Sequence, residues 1–182
     1  DCKQPYNASL LNISAMSFGA LSDRAQMALN RGAKKGNFYH NTGEGGISPH
    51  HLEGGDLCWQ IGTGYFGCRN EEGNFDAELF TKYSNLDNVK MIEIKLSQGA
   101  KPGHGGVLPA VKNTPEIAKI RHVPPGVTIL SPPSHSAFSD AEGLLRFVQQ
   151  LRELSGGKPV GFKLCIGDTK EFEDICEQMN IL

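Results

Sequence analysis

Apolar and polar positions recur along this chain with two different periods, and the switches between them mark short strands and helices. Leu10–Met16 reads as a short strand. Ser22 then stands as an N-cap before Asp23–Ala33, where Ala25, Leu29 and Ala33 recur at helical spacing. Phe38–His40 is a very short strand running into the glycine-rich turn Asn41–Gly46. Residues 47–75 carry little periodicity, with one strand expected at Leu57–Ile61 and a second candidate at Gly64–Cys68. Asp76–Tyr83 reads as a short helix. Val89–Leu96 is an apolar run of the kind buried in a parallel sheet. Thr114 and Pro115 suit the cap and first position of a helix over Glu116–Arg121. Val127–Leu130 is another strand, and Ser139 is expected to cap an amphipathic helix over Asp140–Leu154. Its apolar face carries Leu144, Leu145, Val148 and Leu151, and Gly156-Gly157 ends it. Pro159–Ile166 reads as a buried strand and Lys170–Met179 as a helix.

Strands alternating with helices imply βαβ units and a mostly parallel sheet. The longest loops follow strands. That end of the sheet carries the ligand both in a (β/α)8 barrel and in a doubly wound sheet, and periodicity alone does not separate the two.

Composition narrows the function classes. With 182 residues, 38% hydrophobic and 21% charged, the chain fits one ordinary globular domain. A net charge of −2 excludes the basic field of a nucleic-acid binder. No apolar run approaches the ~18 residues of a membrane span. The five cysteines have no CxxC spacing, and Cys58 and Cys68 are expected to remain unpaired in a reducing cytoplasmic setting. The six histidines lack metal-site spacing, and there is no GxSxG elbow or GKS/GKT phosphate loop. Glycine is the unusual count, 22 residues clustered at 43–46, 54–67 and 99–106, where backbone can approach a ligand.

Five segments carry candidate chemistry. Ser97–Gly106 follows the strand ending in Glu93, Ile94, Lys95 and Leu96. Lys95 and Lys101 bring positive charge there, Gln98 both donates and accepts, and the glycines expose N–H groups, a set suited to an anionic or carbonyl ligand. The other reading is a solvated loop with two incidental lysines. In Asn41–Gly46, the side chains of Asn41, Thr42 and Glu44 stand among three glycines; they either touch a ring or substrate or form a tight turn. Ala15-Met16-Ser17-Phe18-Gly19-Ala20 ends the first strand, and its small residues would let a flat ring lie against the backbone, though a strand-to-helix turn needs small residues too. Lys163 interrupts the apolar strand Val160–Leu164, which places it toward a ligand or at an edge with its amine in water. Ser131–His135 ends a strand and could line the same mouth.

Taken together, MSFGALS at 16–22, NTGEGG at 41–46, EIKLSQGAKPGHGGVLP at 93–109 and LSPPSH at 130–135 resemble the FMN-binding synthase domain of glutamate synthase, in the family's order. The stretch 121–147 is more like the short bacterial and archaeal members. The resemblance implies a (β/α)8 barrel with FMN at its C-terminal mouth. It implies condensation of 2-oxoglutarate with ammonia and reduction of the resulting 2-iminoglutarate to L-glutamate. Met16 and Ser17, with Ala15 and Asn41 beside them, would contact the flavin ring, and Thr42 and Glu44 would sit at ring and substrate. Lys95, Gln98 and Lys101 would bind substrate carboxylates or the flavin carbonyl edge. Glu44, Lys95 and Gln98 would form the catalytic group, and Lys163 would reach the N1–C2 edge of the flavin. A full barrel takes ~250 residues. The expectation is therefore a single partial barrel over residues 1–182, of about five parallel strands, its last strands and phosphate-binding loops lying past Leu182. The large enzyme's iron–sulfur cysteine cluster has no counterpart in this sequence. An electron donor is required, and a separate glutaminase subunit, self-association, or a membrane tether supplied by N-terminal segments are open. The alternatives are another FMN barrel oxidoreductase, such as a 2-hydroxyacid oxidase, or a non-catalytic piece that folds only with a partner.

Overall fold

The computed structural model describes residues 2–96 and 105–181. The loop residues Gln98 and Lys101 therefore lie outside the described residues. The first helix, α1 (Asp23–Gly36), starts where the Ser22 side chain accepts from Ala25 N–H. It stops where Asn37 enters the left-handed region at φ 54° and returns its N–H to Ala33 and Lys34. Four strands follow in chain order: β1 (Tyr39–Asn41), β2 (Asp56–Ile61), β3 (Val89–Lys95) and, after a long excursion, the strand Val160–Lys163. The excursion holds β4 (Val107–Leu108), α3 (Pro115–Arg121), β5 (Ile129–Leu130) and α4 (Ala141–Leu154), so the last strand is β6. Helix α2 (Ala77–Ser84) joins β2 to β3, and α5 (Thr169–Ile181) follows β6.

The sheet runs β1-β2-β3-β6 with every pair parallel. Alternation sorts its residues onto two faces. Leu57, Trp59 and Ile61 of β2, Ile92 and Ile94 of β3, and Val160 of β6 point to the helices. There they form one core with Phe80 of α2 and with Leu144, Phe147, Val148 and Leu151 of α4. Trp59 is fully buried and stacks on Phe80 at 5.3 Å between ring centroids. Thr114 and Pro115 open α3 as read from the sequence.

Four expectations change. Leu10–Met16 contributes a single bridge, Ile13 to His40, instead of a full strand. Gly64–Cys68 forms buried turns, with Tyr65 at φ 48°. Apolar residues there serve to seat a loop in the core, and a left-handed residue breaks any ladder. The Ile129–Leu130 strand pairs antiparallel with β4 in a separate ribbon, so the parallel sheet has four strands rather than about five. The cap of α4 is Asp140, whose carboxylate accepts from Gly143 N–H, one residue beyond Ser139. Cys58 and Cys68 are both buried free thiols, and no described helix is long and apolar enough to cross a membrane.

Candidate functional site

The face of the sheet turned away from the helices is polar. It carries Asn41 of β1, Gln60 of β2, Glu93 and Lys95 of β3, and Lys163 of β6. Gln60 lies opposite Glu93, and Lys95 opposite Lys163, in the strand register. Like charges directly opposed across two strands repel, so anionic charge nearby stabilises this pair. Glu44 supplies it for Lys95, with Oε2 at 3.2 Å from Nζ and both side chains largely buried. Gly62, at the end of β2, makes room for that carboxylate: a Cβ there would meet Glu44 Oε2 at 2.6 Å. Lys163 is exposed on the strand at the end of the sheet, as the edge reading has it, and its side of the sheet also opens to a cleft. It lines this cleft of ≈ 330 Å³ together with Ala15, Tyr39, Asn41 and Glu93.

Glu93 organises the wall behind this cleft. Its Oε1 accepts from Asn41 Nδ2 at 3.0 Å and from Gln60 Nε2 at 2.6 Å. With its amide nitrogen so fixed, Asn41 turns Oδ1 to Gly43 N–H at 3.0 Å. The Thr42 hydroxyl donates to Gly43 O and accepts from Gln60 N–H, so it is consumed in holding the turn. Gly43 sits at φ 67°, and a Cβ on it would lie 2.7 Å from Ser17 N. The turn Asn41–Gly46 is thus pressed directly on the Met16–Ser17 peptide, and Met16 N–H donates to Asn41 O.

Arg121, the last residue of α3, reaches the same mouth from the far side. Its guanidinium is buried, lies 5.1 Å over the Phe66 ring and donates to Phe18 O at 3.2 Å. Gly45 leaves it space, since a Cβ there would stand 2.9 Å from Nη2. Burial lowers its pKa, and the charge of Glu44 acts the other way. His135 is buried as well: its ring meets Tyr65 OH at 3.1 Å and Lys95 O at 2.9 Å. Burial lowers its pKa too.

The structure therefore brings Ala15, Met16, Ser17, Asn41, Thr42, Glu44, Lys95 and Lys163 to one end of the sheet. Sequence reasoning missed Glu93, Gln60 and Arg121. For Glu93 a signal existed, because Ile92 and Ile94 face the core and so assign Glu93 to the face of Lys95. For Arg121 there was none, because only tertiary packing carries a helix end to Gly45 and Phe66.

The fold is of the α/β class with a parallel sheet, and the cations and carboxylates gather at the strand ends, where sheets of this class generally take ligands. The chain matches the conserved region in glutamate synthase over residues 3–178 and belongs to that family. It is 43% identical to the glutamate synthase large subunit-like protein YerD of Bacillus subtilis, over 98% of this chain and 34% of that protein. It is 35% identical to the archaeal-type glutamate synthase [NADPH] of Thermotoga maritima, over 83% of this chain and 28% of that protein. With the ferredoxin-dependent glutamate synthase of Cyanidium caldarium the identity is 36%, over 82% and 10%. The chain thus spans about a third, or less, of these relatives.

Proposed function

We propose that this chain supplies the ring-facing and substrate-facing part of an FMN site for the reductive amination of 2-oxoglutarate to L-glutamate. The observation that carries the reading is the cross-strand pair Lys95 and Lys163 on the polar face, with Glu44 in an ion pair with Lys95. The residues fit the group. The cleft at Lys163 opens against the small residue Ala15, and Gly43 packs directly on the Ser17 backbone, where a Cβ would stand 2.7 Å from Ser17 N. FMN, when bound, supplies the hydride that reduces the carbon of the C=N bond in 2-iminoglutarate.

The residues divide the remaining work. Lys163 offers a cation to the electron-rich N1–C2 edge of the flavin. Lys95 binds a substrate carboxylate, and Glu44 fixes the lysine's position and holds a proton donor or acceptor near the nitrogen end of the substrate. The family resemblance assigns Gln98 and Lys101, which lie outside the described residues, to the same carboxylate or to the flavin carbonyl edge. Asn41 and Thr42 act through the turn that they brace, and Met16 and Ser17 form the floor. The four parallel strands are consecutive staves of a (β/α)8 barrel closed by further strands. The electron donor differs among relatives, NADPH in one name and ferredoxin in another. The whole enzyme is an oxidoreductase needing ammonia, from solution or from a glutaminase.

The oxidation of 2-hydroxy acids wants a free His-Arg pair at a strand end. Arg146 instead lies on the solvent side of α4, paired with Glu142, and His135 is committed to Tyr65 and Lys95. The test is flavin absorbance in the purified full-length protein, and single-turnover formation of glutamate from 2-oxoglutarate and ammonia after reduction. Lys163→Met is expected to lower the flavin potential and weaken flavin binding. A protein that takes up no flavin overturns the reading.

A further inference from the structure

Two main-chain carbonyls at the site lie where the strand ladder has run out: Met16 O, past the bridge at Ile13, and Lys95 O, at the end of β3. A buried imidazole meets each of them. His51, in the one-turn helix Pro49–His51, is fully buried and places Nε2 at 3.2 Å from Met16 O. Its Nδ1 lies 3.1 Å from Ser48 N–H, which only donates, so Nδ1 accepts and the ring proton sits on Nε2. Gln26 of α1, also fully buried, donates to the same carbonyl at 2.9 Å. His135 repeats the arrangement on the other strand. Lys95 O accepts only, so Nε2 of His135 carries the proton and donates at 2.9 Å, and Nδ1 accepts from Tyr65 OH at 3.1 Å. The ring is held on both sides, stacked on Phe138 at 4.9 Å and edge-on to Tyr65 at 5.3 Å.

We propose that His51 and His135 are paired positioning residues, each fixed as the neutral Nε2–H tautomer, that clamp the Met16 and Lys95 carbonyls and so set the floor and the lysine of the site. The clamp itself is a property of this chain. Its consequence for flavin and substrate rests on the FMN reading above. Met16 cannot shift without breaking three bonds at once: two to its carbonyl, and its own N–H bond to Asn41 O at 3.1 Å. The turn with Gly43 is packed on the same peptide. Lys95 is fixed at its carbonyl by His135 and at its amine by Glu44, and the next amide, Leu96 N–H, bonds Lys163 O at 2.9 Å. Loosening His135 therefore moves both lysines.

The experiment measures amide exchange in the flavin-free full-length protein, then FMN affinity and KM. In His51→Leu the Met16 amide exchanges about tenfold faster, as one lost hydrogen bond implies, and FMN binds about tenfold more weakly. His51→Gln, which keeps an N–H donor, restores both. In His135→Leu the Leu96 amide exchanges faster and KM for 2-oxoglutarate rises about tenfold while kcat changes less. Should His51→Leu not fold, Gln26→Leu removes the second donor to the same carbonyl and reads the same amide. Unchanged exchange in the leucine variants overturns the clamp. Faster exchange with unchanged FMN affinity and KM overturns the positioning role. A wild-type protein that binds no FMN sinks the cofactor reading instead, and the exchange data then still support or refute the clamp.

Discussion

Acid should unfold this protein through α1 and the Met16 segment, and His51 is the group that sets the size of the effect. Burial lowers the His51 pKa from 6.5 to about 4; the bond to Met16 O acts in the opposite direction, and the neighbouring His50 lowers it further. His40 beside it, at 5.3 Å between rings, is lowered to about 4 by burial and by His51. Both rings are fully buried, and among the described residues no partner bonds either nitrogen of His40. A histidine whose pKa is depressed by folding contributes stability that is complete above 6.5 and is lost as pH falls toward 4, because the unfolded chain binds the proton first. For His51 alone the loss is about 2 kcal/mol by pH 5 and about 3 kcal/mol once pH is below 4. His40 steepens the same window, with the two coupled by their mutual repulsion. Urea unfolding at a series of pH values from 7.5 to 4.5 measures the slope. His51→Gln removes one titrating group and keeps an amide donor, while His40 and His135 still titrate, so its stability should fall with pH less steeply than the wild type's. Equal slopes for the two proteins would refute the reasoning, because they would place the acid transition on groups other than His51.

Three further outcomes follow from packing at the site and beneath it. Gly43→Ala puts a side chain on a residue at φ 67° and drives its Cβ to 2.7 Å from Ser17 N. It should cost at least about 2 kcal/mol in urea unfolding, a left-handed residue alone costing ~1–2, and abolish flavin uptake. Lys158 is buried and donates to Ser84 O and Leu86 O at the end of α2. Lys158→Met should cost about 2 kcal/mol, read as a lower melting temperature with the flavin site intact. Trp59→Ala opens the core against Phe80 and should cost about 3–5 kcal/mol in the same assay.

The sequence by itself determined the local elements and their faces. Ser22 ahead of α1, Thr114-Pro115 ahead of α3 and the apolar runs of β2 and β3 were legible because caps, φ restrictions and side-chain periods act within a few residues. The clustering of Asn41, Thr42, Glu44, Lys95 and Lys163 at strand ends was legible for the same reason, since parallel strands present their C-terminal loops to one side. Partners were not legible. Val127–Leu130 is extended as its pattern implies, yet it pairs with Val107–Leu108 outside the main sheet, because a strand's period fixes its dihedrals and not its neighbour. Gly64–Cys68 is apolar because it is buried, and burial does not distinguish a strand from a turn. Which oxygen of Asn41 meets Gly43, how Glu93 braces Gln60, and why Arg121 arrives beside Gly45 depend on contacts between residues 2 to 76 positions apart. Those contacts, together with the histidine hydrogen bonds that hold Met16 and Lys95, are decided only when the layers of the tertiary structure close on one another.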